Sequence, residues 1–290
     1  MLVGVLDVSQ VMGTQPRRQA RHHHGAEVAL FATDTLRASL TLHPRGQDIA
    51  EHAHDWPSLT LYLIGSYDEQ SEVGQRGIRG PAAVLHGSGG AHRDVVGSDG
   101  LETVVLGFEP SWFNRALGGR PAGPLYCQGG AVGRRASWLA RAWLRPSPAR
   151  QGLLSATLDF LRAALREPTA RPREPGWLGA AREMIVETPP NALSTSDLAQ
   201  RLRLHPGWLT QAYRAYEGEG LQEAGRRRRV EHAVQLLRSS SMGLAQIALE
   251  AGFCDQSHMN RVFSAVLVRS PAQVRRERLL FENSPEPQAP

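Results

Sequence analysis

The residues with the clearest chemical capability lie on two polar stripes in the last third of the 290-residue chain. Behind Pro206, the residues Gly207, Thr210, Gln211 and Arg214 recur at i, i+3, i+4 and i+7, the spacing of one helix face. Further on, Ser257, Asn260, Arg261 and Ser264 repeat that spacing, with Gln256 and His258 at the leading end. Asn and Gln can bond adenine N6 and N7 together, and Arg can bond guanine O6 and N7. One such stripe is most simply a solvated helix face. Two in tandem point to the reading of base edges in DNA.

Each stripe needs an element to hold it. Ser194-Thr-Ser-Asp197 is a helix start, with a capping hydroxyl and an acid three residues on. The short helix behind it, ending at Leu202, buries Leu198, Ala199 and Leu202. A turn at 203–205 follows, and Pro206 opens the next helix. That helix buries Leu209, Ala212, Tyr213 and Tyr216. The second unit repeats the plan. Leu244, Ile247, Ala248 and Ala251 form a short buried stripe and Gly252 supplies the turn. Met259, Val262, Phe263 and Val266 anchor the longer helix. Short helix, tight turn and longer helix with a polar outer face make a helix-turn-helix, whose second helix can enter the major groove. A helix with Val230, Ala233, Val234 and Leu237 on its buried side joins the units. About 18 residues of helix span about 27 Å, of the order of one DNA turn. Arg226–Arg229 lead into it, equally suited to phosphate contact and to solvation.

The remainder of the chain divides by composition. Residues 1–26 read as a loose arm that includes His22-His23-His24, either a metal-binding tract or disordered polar chain. Segments Leu36–Leu42, Leu59–Ile64, Ala82–His86 and Thr103–Phe108 read as short strands separated by turn residues, a sandwich or small barrel. Residues 111–167 turn helical. Trp138, Leu139, Ala142 and Trp143 lie before a proline break, and Leu154, Leu158, Leu161 and Leu165 after it, giving a helical hairpin. Three prolines between 168 and 175 mark a linker. All 33 basic residues are arginine, the net charge is +5 and the pI is near 9.8. This bias permits nucleic-acid binding. Two cysteines give neither a disulfide framework nor a cysteine zinc site, which suits a reducing cytosol. No apolar run approaches a membrane span, and the first residues lack a secretory pattern. Nucleophile elbow, P-loop and dinucleotide fingerprint are all missing from the sequence, so no catalytic residue is assigned.

Residues 190–276 resemble the AraC/XylS family of bacterial transcription regulators. The resemblance is carried by Ile247-Ala-Leu-Glu-Ala-Gly-Phe-Cys-Asp-Gln-Ser-His-Met-Asn-Arg-Val-Phe263, then Ser270-Pro271 and Arg275. Leu198-Ala199, Leu209, Gly218, Arg229, Ala233 and Leu236-Leu237 align as well. The resemblance implies tandem helix-turn-helix units reading double-stranded promoter DNA. Its candidate contacts are Pro206, Gly207, Thr210, Gln211 and Arg214 in the first unit, and Gln256, Ser257, His258, Asn260 and Arg261 in the second. It also implies an activator touching RNA polymerase; a cytoplasmic protein and a homodimer are expected as well, the amphipathic hairpin being a candidate dimerisation element whose stripes could instead simply pack on the barrel. The departures cluster in the first unit. Arg203 stands for a usual Gly, His205 for Ser and Gln211 for Arg. Gly225 and Arg228 replace apolar residues, and Val268 replaces a Gly. The second unit is therefore expected to be the better reader.

Upstream, Gly46-(x5)-His52-Ala-His54 with Gly65 resembles the first cupin motif, and Gly89-(x2)-His92 the second. Ser58 stands where that motif carries Glu. The resemblance implies a small effector-sensing barrel in which His52, His54 and His92 converge. Three imidazoles could hold a divalent metal, zinc or nickel, with open positions; a barrel that has kept the fold and lost the metal is the other reading. Glu69 is a weaker replacement ligand. The expected fold class is α+β and multidomain. It comprises an arm (1–26), a cupin-like effector domain (27–125), a helical hairpin (126–167), a linker (168–176), an all-α tandem helix-turn-helix domain (177–281) and a tail (282–290). The expected function is effector-modulated transcription regulation. The alternative is a metal-dependent cupin enzyme or metal sensor fused to a DNA-binding domain.

Overall fold

The computed structural model describes residues 25–119, 123–147, 149–166, 174–188 and 194–277. The His22–His24 tract, almost all of the arm, most of the linker and the tail fall outside these residues.

The N-terminal strands are β1 (Ala26–Ala32), β2 (Leu36–His43), β3 (Asp48–His52), β4 (Ser58–Ser71), β5 (Gly74–Arg79), β6 (Ala82–His86), β7 (His92–Phe108) and β8 (Leu125–Gln128). They form one antiparallel sheet in the order β1-β2-β7-β4-β6-β8, with β3 on β7 and β5 on β4. The two long strands β4 and β7 belong to two arms. Their inner halves, Ser58–Gly65 and Leu101–Gly107, pair inside the larger arm, while Tyr67–Ser71 and His92–Val96 pair in the smaller one. The bend falls at Gly65, where the register shifts. A Cβ there would stand 1.9 Å from the Gly100 carbonyl oxygen, so only glycine lets the strands cross so closely. The sheet is rolled around an interior rather than closed into a barrel, because its end strands β1 and β8 do not pair with each other. β8 carries the sheet to Gln128, past the expected boundary at 125.

Two helices, α2 (Gly130–Leu144) and α3 (Arg150–Arg166), form the hairpin behind α1 (Pro110–Leu117). The Trp143 indole is fully buried and donates to Thr157 Oγ1 at 3.1 Å, locking α2 to α3. The buried stripes differ from those expected. α3 turns Thr157, Phe160, Leu161 and Ala164 inward and leaves Leu165 41% exposed, while Trp138 is 54% exposed. Phe160 is the bulkiest residue on α3, and burying it rotates the leucine stripe by about one position. α2 packs its stripe, including Ala136, Leu139 and Ala140, against the sheet. Part of the surface expected for dimerisation is thus packed within the chain, while Trp138 and Leu165 stay exposed.

The C-terminal helices are α4 (Gly176–Glu187), α5 (Thr195–Leu202), α6 (Pro206–Glu217), α7 (Leu221–Ser239), α8 (Leu244–Glu250), α9 (Gln256–Leu267) and α10 (Pro271–Arg276). The Ser194–Asp197 capping box forms as expected. α7 has 19 residues, about 28 Å of helix. No described helix is long and apolar enough to cross a membrane.

Candidate nucleic-acid interface and the histidine cavity

The first helix-turn-helix unit is α5–α6 and the second is α8–α9. Leu209 and Tyr213 anchor α6 beneath its polar stripe, and Met259, Val262 and Phe263 anchor α9. Pro206, Gly207, Thr210, Gln211 and Arg214 are all exposed, as are Gln256, Ser257, Asn260 and Arg261. His258 differs. It is half-buried, packs edge-on against Phe253 and accepts the Cys254 N–H at Nδ1. Its ring is built into the start of α9, leaving Nε2 for any outward contact. Thr210 donates its hydroxyl to the Pro206 carbonyl at 2.9 Å, so it faces outward mainly with its methyl group and lone pairs.

The sequence departures have local explanations. Arg203 (φ 55°) and Val268 (φ 57°) are the non-glycine residues with left-handed backbone among those described. Both are the positions where glycine was expected. His205 serves as the N-cap of α6, its Nδ1 accepting the Gly207 N–H at 3.2 Å in place of a hydroxyl. Arg228, in a usually apolar position, reaches Asp99 of the sheet domain at 2.7 Å.

Within the arginine run, Arg227 and Arg228 are engaged by acids, while Arg226 stays exposed. Arg227 is clasped between Glu219 and Glu231, each at 2.7 Å. Burial would weaken its charge, but the two carboxylates outweigh that and hold its pKa well above the ordinary value. Glu231 also accepts the Gly65 N–H at 3.1 Å, tying α7 to the bend of the sheet. A second tie centres on Glu102 of β7, fully buried and paired with Arg238 and Arg269, the latter also holding Glu277. Burial alone would raise the Glu102 pKa; the two guanidinium groups hold it below the usual carboxylate value.

The histidine cavity lies inside the rolled sheet. His52 and His92 face each other across the β3–β7 pairing, and His54 follows β3. The ring centroids of His52 and His92 are 4.3 Å apart, and His54 lies 5.1 Å from each. One ring nitrogen of each of the three falls within 4.8 Å of the others. A tetrahedral zinc centre with Zn–N near 2.0–2.1 Å would draw these nitrogens about an ångström closer. His52 Nδ1 lies 3.0 Å from the Ala50 carbonyl and His92 Nδ1 3.2 Å from the Gly90 carbonyl. With Nδ1 donating, Nε2 carries the lone pair in each ring, the arrangement that prepares a metal ligand. Asp94 adds a buried Oδ1 without a hydrogen-bond partner among the described residues. Burial, reinforced by Glu69, pushes its pKa up to about 8.

Two groups were missed by sequence. His86 stacks on His92 at 4.2 Å, and Asp94 lines the same cavity. Inward alternation of His92, Asp94 and Val96 along β7 was the available signal for the acid. Glu69 is not a ligand-set member. It is buried and accepts from the Tyr67 and Tyr126 hydroxyls, with His86 Nε2 3.1 Å away. Burial would raise its pKa, but His86 and the two phenols outweigh that and hold it down at about 2. The cavity is small, about 60 Å³, room for a few waters.

Residues 198–277 match the protein family described as "Helix-turn-helix domain". The chain is similar to the HTH-type transcriptional regulator YijO of Escherichia coli, 28% identical over 125 residues, a match covering 43% of each protein. It is 27% identical over 129 residues to the HTH-type transcriptional regulator GlxA of Rhizobium meliloti, covering 40% of this chain and 39% of that one. The match thus spans less than half the length of either relative. Among solved structures, an AraC-type regulator from Chromobacterium violaceum covers 35% of this chain and 91% of its own, at 24% identity and a TM-score of 0.34. ToxT from Vibrio cholerae covers 87% and 100%, at 12% identity and a TM-score of 0.37. With both units folded and both stripes exposed, residues 198–277 of this chain form a helix-turn-helix domain, as in the HTH-type regulators it is similar to.

Proposed function

We propose that the protein is a sequence-specific transcription regulator, not an enzyme. It reads double-stranded promoter DNA with α6 and α9 and is modulated through the sheet domain. The observation that carries this reading is the pair of exposed stripes held by one 19-residue helix, a spacer of the order of a DNA turn. Gln211, Asn260 and Arg261 supply base-edge chemistry. Contact with RNA polymerase, activation, a homodimer and a cytoplasmic location belong to the same reading.

The size of the cavity favours a small effector. Three orientable imidazoles and an unpartnered buried carboxyl oxygen suit a divalent metal, zinc or nickel, better than an organic molecule. His52, His54 and His92 would hold the ion, which would pin the end of β3 to the start of β7. β7 begins at His92 and reaches Glu102 and Asp99 at the helical domain, so a change at the histidines has a direct route to α7.

Selection of DNA from a random pool by the full-length protein, with and without chelator, tests both parts. An enriched site with two blocks about one helical turn apart supports the tandem reader. Enrichment that changes on chelation supports a metal-linked effector. A pool without enrichment in either condition, repeated with metal restored, contradicts sequence-specific reading. Less than a stoichiometric trace of metal after gentle purification contradicts the histidine site.

A further inference from the structure

The strongest positive bias in the chain lies outside the helix-turn-helix units. Between Glu109 and Asp159 there are seven arginines and not one acid. On α2, Arg134, Trp138, Arg141 and Arg145 recur at i, i+4, i+7 and i+11, one face of the helix. Arg134, Arg135 and Arg145 are exposed and make no ion pair among the described residues. Such a stripe on an isolated helix would be ordinary solvated surface, but the position of α2 argues otherwise. Its start is pressed against the end of α6: a Cβ on Gly129 would lie 2.0 Å from the Tyr216 carbonyl oxygen. Farther along, Arg134 and Arg141 share a crevice with His258 and Arg261 of α9. α2 therefore bridges the two reading helices. The crevice holds five arginines against Glu219 and Glu223. Glu219 is committed to Arg227 and Glu223 to the Gly220 N–H.

We infer that the basic face of α2 is a third DNA-contacting surface that grips the phosphate backbone between the two major-groove sites. When two helices occupy successive major-groove faces, the intervening minor groove and its phosphate ridges lie between them. That is where a helix bridging α6 and α9 stands. Arg261 belongs to both the reading stripe and the crevice, so the α2 face is continuous with the reading surface. Contacts of this kind position the protein without specifying sequence. The inference rests on the DNA-reading assignment above.

The test compares the full-length protein with the variant Arg134→Gln/Arg135→Gln/Arg145→Gln on a selected DNA site across salt concentrations. Each lost phosphate contact lowers the slope of log K against log salt by about 0.9. Loss of all three makes the wild type's fall in affinity between 50 and 200 mM salt about 40-fold steeper than the variant's. Base preference stays the same, and backbone protection between the two blocks disappears from the variant's footprint. Equal slopes and footprints overturn the inference while leaving DNA reading intact. Tighter binding by the variant overturns it too, making α2 an obstruction. A change in sedimentation with an unchanged slope makes the face a self-association surface instead. Failure of both proteins to bind any selected site overturns the DNA-reading assignment along with it.

Discussion

The two helix-turn-helix units share a plan and differ in what supports them. The first unit rests on its own cluster, in which Leu198, Leu209 and Tyr213 meet Leu178 of α4 and Leu221 of α7. Among the described residues the second has no separate core. Ile247, Met259 and Phe263 belong to one continuous apolar cluster with Leu61 and Leu85 of the sheet and Trp143 of the hairpin. The turns differ as well. The first turns through Arg203 at φ 55°, the second through Gly252 at φ 80°. Asp255 caps α9 with a carboxylate, while His205 caps α6 with a ring nitrogen. The first unit is therefore strained at its turn and independently packed, whereas the second turns through glycine, carries its left-handed strain at Val268 after α9, and shares the core of the sheet domain. Repeats of one motif need not be equivalent parts: one rests on its own core, the other on the core of the sheet domain.

The largest expected effect tests the fusion. Glu102→Gln leaves Arg238 and Arg269 facing a neutral amide in a buried site. Breaking a buried pair on one side costs about 3–5 kcal/mol, read as a shift in denaturant unfolding of the full chain. The pH dependence has a definite sign. The folded-state pKa of Glu102 is depressed, so its contribution is fully present above the unfolded carboxyl value, about 4.3. It is lost as pH falls through the folded value. Wild type and variant should converge in acid. A variant as stable as wild type at neutral pH would break the claim that the second unit is welded to the sheet.

Next in size is the difference in DNA reading. Arg261→Ala should weaken binding to a selected site by about 1–3 kcal/mol and relax base preference at one position. Gln211→Ala should cost less, because the unit carrying it has the strained turn and the shorter polar side chain. Titration of both variants on a matched site measures the ranking. Equal losses would make the units equivalent readers despite their different support.

Much of this was legible in the sequence, and the exceptions share a cause. Helix caps, turns and exposed stripes depend on spacing within a few residues, and Ser194, Pro206, Gly252 and the two exposed polar stripes could be read directly. The glycine departures at 203 and 268 even located the two strained backbones. What sequence did not show was which charge meets which across the domains. Arg228 looked misplaced in an apolar position until Asp99 lay opposite it. Arg226–Arg229 suited phosphate contact and solvation equally in the sequence, because Glu219 and Glu231 become partners of Arg227 only once α7 is folded. His86 was invisible for the same reason. Its neighbour His92 comes from a different strand, and only the roll of the sheet stacks them. Burial of the hairpin against the sheet was likewise a long-range fact.

The strain difference itself gives a smaller prediction. An L-residue in the left-handed region costs about 1–2 kcal/mol, partly offset in glycine by its larger unfolded-state entropy. Arg203→Gly should therefore stabilise the protein by about 0.5–1 kcal/mol, whereas Gly252→Ala should destabilise it by a comparable or larger amount. Val268→Gly relieves the same strain but removes a side chain packed against the core, so its gain should be smaller than that of Arg203→Gly. Thermal unfolding of the three variants gives the order directly, and a loss of stability in Arg203→Gly would erase the proposed contrast between the turns.

The smallest effect decides where in the first unit the strain sits. His205→Ser restores an ordinary capping hydroxyl, and such caps are worth about 1 kcal/mol over an apolar residue. His205 already performs the task, however, because its Nδ1 satisfies the Gly207 N–H at 3.2 Å. The exchange replaces one acceptor by another and should move stability by only about a few tenths of a kcal/mol, well below the effect of Arg203→Gly. At the opposite unit, Asp255→Ala removes the acceptor of the His258 N–H and should cost about 1 kcal/mol. If His205→Ser instead stabilised the protein more than Arg203→Gly, the imidazole cap would be the weak point. The first unit would then be limited by how its reading helix starts rather than by how the chain turns into it.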